Sequence, residues 1–231
     1  MLIYSHRGES RYAPENTMSA FFLAYLLNSD GIECDIRRTK DGNLVIIHDK
    51  TINRTSNGNG KVSDYTLNQL LEYNFGDKKY NNEKIVTLEQ FLNFFSDKNI
   101  NIYLEVKESG YENEIWNVIS KYNLTNVTLI SFKYEILNSF RKISRNLKLG
   151  WLVYDISENI IDDALKIDID ILICISITID KKKVKLVKVN NLKLGAWGVK
   201  NKTELKRLEK LNLDSIVYDS YYDVKKELKY A

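Results

Sequence analysis

A short run of β-branched and apolar residues followed by an amphipathic helical pattern recurs eight times along this chain, and few folds accept that rhythm. The runs are LIYS (2–5), GIECDI (31–36), NIYLEVK (101–107), NVTLIS (126–131), LKLGWLVY (147–154), DIDILICIS (168–176), LKLGAWGV (192–199) and DSIVYD (214–219). The second resumes after the turn KDGN as LVIIH (44–48). Between them, ENTMSAFFLAYLLN (15–28) carries apolar residues at 18, 21, 22, 25 and 26, a 3.6-residue period, with Pro14 and Asn16-Thr17 at its start. Helical patterns also cover 111–123, 133–144, 157–167, 202–212 and 222–230, and TLEQFLNFF (87–95) opens with a T-x-x-Q capping-box signature. VKLVKV, within 180–190, alternates like a strand and is assigned to a helix only by its place in the series. Strand then helix, eight times, predicts parallel strands joined by crossover helices. Eight units in 231 residues suggest an α/β fold, a closed (β/α)8 TIM barrel formed by residues 1–231 as one domain. An open doubly wound sheet is the structural alternative, and no G-x-G-x-x-G loop supports it.

Residues 49–86 break the rhythm. They are polar, rich in Asn and Gly, and hold one short helical pattern at 66–73. We expect an insertion after the second strand, folded over one end of the barrel rather than forming a second core. A net charge of +3 argues against a dedicated nucleic-acid binder, and the lysine run DKKKVKLVK (180–188) reads as the solvated face of an element. Cys34 and Cys174 both lie inside apolar runs and read as buried free thiols of a reducing compartment. No signal-peptide pattern and no stretch of transmembrane length occur, so a soluble, cytoplasmic protein is expected. Oligomeric state is not legible.

Residues i and i+2 of a strand share a face. Glu33 and Asp35 therefore point one way in IECDI while Ile32, Cys34 and Ile36 point the other, and Glu105 and Lys107 separate from Leu104 and Val106 in the same manner. Charge turned inward on two strands must be paired or hold a cation, because an unpaired buried carboxylate is costly. One reading is a structural salt-bridge network of Glu33 or Asp35 with Lys107. The other is a metal site, and the two histidines of the chain favour it. His6 follows LIYS and His48 follows LVII, so both sit at strand ends, where a barrel carries its working face. Arg7 adds a bidentate donor suited to phosphate. Three carboxylates without a Cys or His cluster favour a hard cation, Mg²⁺ or Ca²⁺, over zinc. Two imidazoles titrating near neutrality can remove one proton and supply another, an effect worth roughly 10²–10⁴ in rate. No G-x-S-x-G nucleophile motif appears. The set suits cleavage of a small-molecule phosphate diester.

In its first 107 residues the chain resembles the glycerophosphodiester phosphodiesterases. The motifs are HRG (6–8), PENT (14–17), IECD (32–35), TKDGNLVIIHD (39–49), NRTSNGNGKV (53–62), VTLEQFL (86–92) and LEVK (104–107), in the family's order and spacing. The resemblance implies a metal-dependent (β/α)8 barrel with a small insertion after the second strand. It implies His6 and His48 as the acid/base pair, Glu33, Asp35 and Glu105 as ligands of one divalent cation, Mg²⁺ or Ca²⁺, and Arg7 and Lys107 as the phosphate-holding cations. Glu15 and Asn16 would stand at the pocket edge, with Glu15 equally readable as a helix-start carboxylate complementing the dipole. Phe132 and Trp197 are candidate pocket walls. The second half departs from the family pattern: WGVKN (197–201) stands where W-T-V-N is usual, with Asn201 one place late, and YDSYYD (218–223) lacks the family's Thr and Pro. The expected reaction releases an alcohol and glycerol 3-phosphate through internal attack by a glycerol hydroxyl. Phospholipase D-like action on lysolipids ranks below it, because the 49–86 segment is polar. A non-catalytic phosphate-binding barrel ranks lower still, because no catalytic residue is missing.

Overall fold

A computed structural model of the chain describes residues 1–122 and 124–228. Eight parallel strands close into a barrel. They are β1 (Leu2–His6), β2 (Gly31–Arg38), β5 (Asn101–Val106), β6 (Val127–Ser131), β7 (Lys148–Val153), β8 (Ile171–Ile175), β9 (Lys193–Trp197) and β10 (Ser215–Tyr218). Each pairs in parallel with its neighbour in that order, and β1 closes the ring by pairing with both β10 and β2. Two short strands, β3 (Leu44–Ile46) and β4 (Val86–Thr87), add antiparallel to the end of β2 that projects above the barrel.

The outer helices are α1 (Met18–Leu26), α3 (Leu88–Phe95), α4 (Glu112–Ser120), α5 (Tyr134–Ile143), α6 (Glu158–Lys166), α7 (Lys181–Val189), α8 (Lys202–Glu209) and α9 (Tyr221–Leu228). The short α2 (Leu67–Leu71) lies in the insertion. Side-chain caps start several of them. Thr17 accepts from Ala20 N–H, and Thr87 with Gln90 forms the capping box that the sequence predicts. The alternating VKLVKV segment is helical because Asp180 caps it and Val184 and Val187, three apart, are its buried contacts. Its Lys181, Lys182, Lys185 and Lys188 face solvent, as expected of the lysine run. The sequence-based helix ends at Asn123 and at 229–230 fall outside the described residues. Strand ends differ from the sequence ranges in both directions: β2 runs on to Arg38, whereas β8 begins only at Ile171 because Asp168 turns with φ 49°, and β9 stops at Trp197 because Gly198 takes φ 71°.

The alternation of faces holds throughout the barrel. Ile32, Cys34, Ile36, Leu104 and Val106 point outward and pack with Phe21, Phe91, Phe95 and Phe140 of the helices in the main core. Each such ring taken fully out of water contributes roughly 1.5–3 kcal/mol. The bore is filled by Tyr4, Tyr103, Ile130, Leu152, Ile171, Ile173 and Val217. Tyr4 stacks on Tyr103 with centroids 3.7 Å apart, and Gly31 makes room for the pair, since a Cβ there would sit 2.4 Å from the Tyr4 ring. This apolar plug occupies the lower bore and leaves the charged residues above it.

The insertion differs from expectation. It encloses an apolar cluster, with its Ile52, Val62, Leu70, Phe75 and Ile85 all buried against Val45 and Ile47 of the preceding strand run. These residues are spread singly through Asn- and Gly-rich turns, so no periodicity reveals them. Among the described residues no helix is long and apolar enough to cross a membrane. Cys34 and Cys174 are free and buried, as the sequence suggests.

Candidate active site

β1 delivers His6 as its last residue, and the chain then turns sharply. Arg7 adopts φ 55°, a left-handed conformation that costs a non-glycine residue energy. The turn aims the Arg7 backbone N–H at Glu33 Oε2 (3.0 Å) while its guanidinium reaches Glu15 Oε1 at 2.8 Å and stands 3.5 Å from Asp35 Oδ2. Gly8 follows because a Cβ there would meet the Ala20 backbone at 2.7 Å. The His-Arg-Gly sequence thus encodes one geometry: imidazole inward, guanidinium inward, chain pressed onto α1.

β2 and β5 run in register, with Asp35 opposite Glu105. One oxygen each from Glu33, Asp35 and Glu105 lies within 4.8 Å of the others, and all three residues are buried. Lys107 Nζ contacts Asp35 Oδ1 at 2.8 Å and Glu105 Oε2 at 2.7 Å, so the salt-bridge reading is partly realised. It does not neutralise the cluster. Among the described residues Glu33 has no side-chain cation closer than His6 Nε2 at 3.9 Å. Burial first, and then the Asp35 charge, push the Glu33 carboxyl up to about 7. Burial also raises Asp35, but Lys107 and Arg7 outweigh it and hold Asp35 well below the usual carboxylate range.

The donor set fits a hard cation. It is all oxygen and carries excess negative charge. Among the described residues two buried oxygens at the cluster also lack a hydrogen-bond donor. Asp35 Oδ1 meets Lys107 as an ion pair without hydrogen-bond alignment, and Asn16 Oδ1 has no partner although its own Nδ2 donates to Asp35 Oδ2 at 2.8 Å.

The two histidines face the cluster from different sides and are held differently. His6 Nδ1 bonds Asp219 Oδ1 at 2.7 Å, and His48 Nδ1 bonds Asp49 Oδ1 at 2.6 Å. Each Nδ1 is thereby occupied, which presents Nε2 as the free nitrogen. Burial lowers both imidazoles. At His6 the Asp219 bond and the Glu33 charge outweigh burial and the net shift is upward. At His48 burial prevails over Asp35 and Asp49, with Lys107 and Arg7 pushing the same way as burial, and the net shift is downward.

His6, Arg7, Glu33, His48, Glu105, Lys107, Phe132 and Trp197 line one cavity of about 440 Å³, with Asp219 and Lys200 beside them. Asp35 lies beneath its floor. Glu15 does not line it. Rather than capping α1, Glu15 sits behind Arg7 and is gripped by Arg54 of the insertion, whose Nη1 lies 2.5 Å from Glu15 Oε2 and whose Nε lies 2.7 Å from Asp49 Oδ2. The far wall is aromatic. Phe132 stacks on Tyr154 (5.3 Å) and meets Trp197 edge-on (5.2 Å). Asn201 is outside the cavity as the N-cap of α8, and the preceding Lys200 occupies the rim.

Sequence reasoning missed four of these residues. Asp219 directly follows the eighth barrel strand, and that place in YDSYYD is the one signal that marks it. Tyr154, Arg54 and Asp49 sit in loops, where no periodicity speaks for them, although Asp49 directly follows His48.

The comparisons agree along the whole chain. Residues 6–222 match the family model for the glycerophosphoryl diester phosphodiesterase family. A glycerophosphodiester phosphodiesterase of Caldanaerobacter subterraneus subsp. tengcongensis is 35% identical over 227 residues, covering 94% of this chain and 93% of the relative. A putative glycerophosphodiester phosphodiesterase of Bacillus subtilis is 30% identical, covering 95% and 94%. An Oleispira antarctica phosphodiesterase solved with the product sn-glycerol-3-phosphate shares the fold at TM-score 0.93 and 24% identity, covering 99% of this chain and 97% of that one. With the closed barrel and this match over nearly its full length, the chain belongs to the glycerophosphoryl diester phosphodiesterase family of enzymes.

Proposed function

We propose that this protein hydrolyses glycerophosphodiesters to an alcohol and sn-glycerol 3-phosphate, with one divalent cation bound and with His6 and His48 as acid and base. The observation that carries the reading is the pair of histidines. They face one cavity with opposed electrostatic environments, across a buried trio of carboxylates flanked by Arg7 and Lys107. Titratable groups pushed apart in this way are suited to separate acid and base roles.

Glu33, Asp35 and Glu105 would hold the cation, Mg²⁺ or Ca²⁺, and when bound it neutralises phosphoryl charge. Arg7 and Lys107 take the remaining negative charge and orient the phosphate. His48, favoured as neutral, accepts the proton of the substrate's glycerol hydroxyl at Nε2. The hydroxyl oxygen then forms a bond to phosphorus. His6, favoured as protonated, donates from Nε2 to the alcohol oxygen as its bond to phosphorus breaks. This gives a cyclic phosphate. In the second half the roles reverse: His6 takes a proton from water, the water oxygen bonds phosphorus, and His48 returns a proton to the glycerol oxygen as the ring opens. One water is consumed and both histidines regain their starting states. Internal attack benefits from the hydroxyl being held beside phosphorus.

The insertion and barrel would act as one domain, because Arg54 of the insertion orients Asp49 and so His48. Two free buried thiols support a reducing, cytoplasmic setting. Lysolipids are a second substrate class with one observation in favour: exposed Tyr154 packs on the cavity-lining Phe132 and Trp197, and exposed Ile177 follows β8 in a turn tied by Thr178 Oγ1 to the Tyr154 carbonyl. The test is release of glycerol 3-phosphate from water-soluble glycerophosphodiesters and from lysolipid micelles, with Mg²⁺, with Ca²⁺ and with EDTA. Cation-dependent release is expected, fastest on the soluble diesters. No release with either cation on any substrate refutes the proposal.

A further inference from the structure

We infer that Arg37 is a positioning residue that sets where the His48 imidazole stands. The inference rests on the reading of His48 as a proton-transfer group. Arg37 lies on the inward face of β2, two residues beyond Asp35, where the strand has risen above the barrel. Its Nε and Nη2 both donate to the His48 carbonyl oxygen, at 2.8 and 2.7 Å. Its Nη1 donates to Glu108 Oε1 at 2.6 Å.

Two features make this grip more than a surface contact. β3 ends at Ile46, and the last backbone bond onto β2 is Ile47 N–H to the Asp35 carbonyl (2.9 Å), so His48 stands just beyond the sheet. Among the described residues no backbone N–H reaches the His48 carbonyl, and the guanidinium supplies both of its donors. The Arg37 side chain is also only 9% exposed, so solvent does not compete for those donors. The opposite end of the guanidinium is anchored to Glu108, the residue after the phosphate-facing Lys107. Arg37 therefore spans the gap between the loop carrying His48 and the strand end carrying Glu105 and Lys107. It fixes the spacing between the imidazole and the charge cluster. A planar fork with donors on two edges can do this; an ammonium, a single point, cannot hold both ends at once.

A proton acceptor must come within about 3 Å of the oxygen whose proton it takes, and a shift of about 1 Å costs on the order of 10²-fold in rate. The test compares Arg37→Gln, Arg37→Lys and His48→Ala with the double variant Arg37→Gln/His48→Ala, at saturating cation, on a nitrophenyl diester of glycerol phosphate. Arg37→Gln is expected to lower kcat about 10–100-fold with KM within about threefold, and Arg37→Lys to fall between it and wild type. Should the Gln variant not fold, Arg37→Lys, which keeps the charge, carries the measurement. The discriminating readout is the cycle. In the His48→Ala background, Arg37→Gln should cost less than about twofold more, because two residues acting through one group are not additive.

Equal losses in both backgrounds overturn the inference, since Arg37 would then act independently of His48. So does a lowered melting temperature with kcat unchanged, which is a structural role alone, or a raised KM with kcat unchanged, which is substrate holding. A wild-type rate in His48→Ala alone overturns the acid/base reading before Arg37 is touched, so the two failures are told apart.

Discussion

Replacing Glu9 should destabilise the protein strongly, though Glu9 does not line the cavity. Its side chain is fully buried and no lysine or arginine neutralises it among the described residues. Instead it accepts four hydrogen bonds: from Ser220 Oγ (2.6 Å), Tyr221 N–H (3.0 Å), Tyr222 N–H (3.3 Å) and Ser5 Oγ (3.3 Å). Tyr221 opens α9, so the carboxylate also sits at the positive end of that helix. Glu9→Ala takes the acceptor from two backbone N–H groups and two hydroxyls. The hydroxyls can rotate toward other acceptors and the N–H groups cannot. At about 1–3 kcal/mol for each of the two N–H groups so deprived, plus a few tenths to about 1 kcal/mol for the helix end, the loss comes to about 2–7 kcal/mol. Glu9→Gln keeps the volume and one acceptor oxygen but points an amide donor at the others, so about half that loss is expected. Equilibrium urea unfolding with unchanged slope measures both, and the Ala variant should melt on the order of 10 °C lower. A loss below about 1 kcal/mol in both variants would refute the argument, and an equal loss in both would show that shape rather than acceptance matters.

Further outcomes follow from the same geometry. In EDTA, Glu33 is an acid whose carboxyl is pushed up to about 7 from an unfolded value near 4.5. The unfolded state therefore releases its proton first, and the metal-free fold should lose stability as pH rises from about 4.5 to about 7, by on the order of 3 kcal/mol. Glu33→Gln should remove that slope and raise the melting temperature at pH 8 in EDTA while weakening cation binding; a flat profile in the wild type would contradict it. Gly31→Ala places a methyl 2.4 Å from the Tyr4 ring and 3.0 Å from the Asn101 carbonyl oxygen. Overpacking of about 1–3 kcal/mol is expected in urea unfolding, and a Tyr4→Leu background should recover part of it.

Much of this architecture is readable from residue order, because the barrel is built from the two patterns that sequence expresses best. Period 2 sets Ile32, Cys34 and Ile36 against Glu33 and Asp35, and the structure separates them in that way. The same rule, carried one step on, places Arg37 on the face of Asp35, so its inward position was available to sequence reasoning although its partner His48 was not. What escaped depends on chain segments distant in sequence. Nothing local links Glu9 to Ser220, or Arg54 to Glu15. The apolar cluster of the insertion escaped because Ile52, Val62, Leu70, Phe75 and Ile85 are separated by turns. The alternating VKLVKV segment shows local pattern yielding to a cap and to the barrel's need for a crossover.

The bond between His6 and Asp219 joins residues 213 positions apart, and it has a consequence in time. The carboxylate trio and both histidines lie at or before Glu105, so a ribosome has made these groups of the site well before it reaches β10. β1 then still lacks β10, and His6 lacks the acceptor that aligns it. At roughly 5–20 residues per second, synthesis of the stretch from Glu105 to Asp219, about 110 residues, takes roughly 6–20 s. Over that interval a half-barrel carries an open strand edge and an unaligned imidazole. Pairing of β10 therefore ends two exposures at once: it covers the open edge of β1 and brings Asp219 to the His6 imidazole.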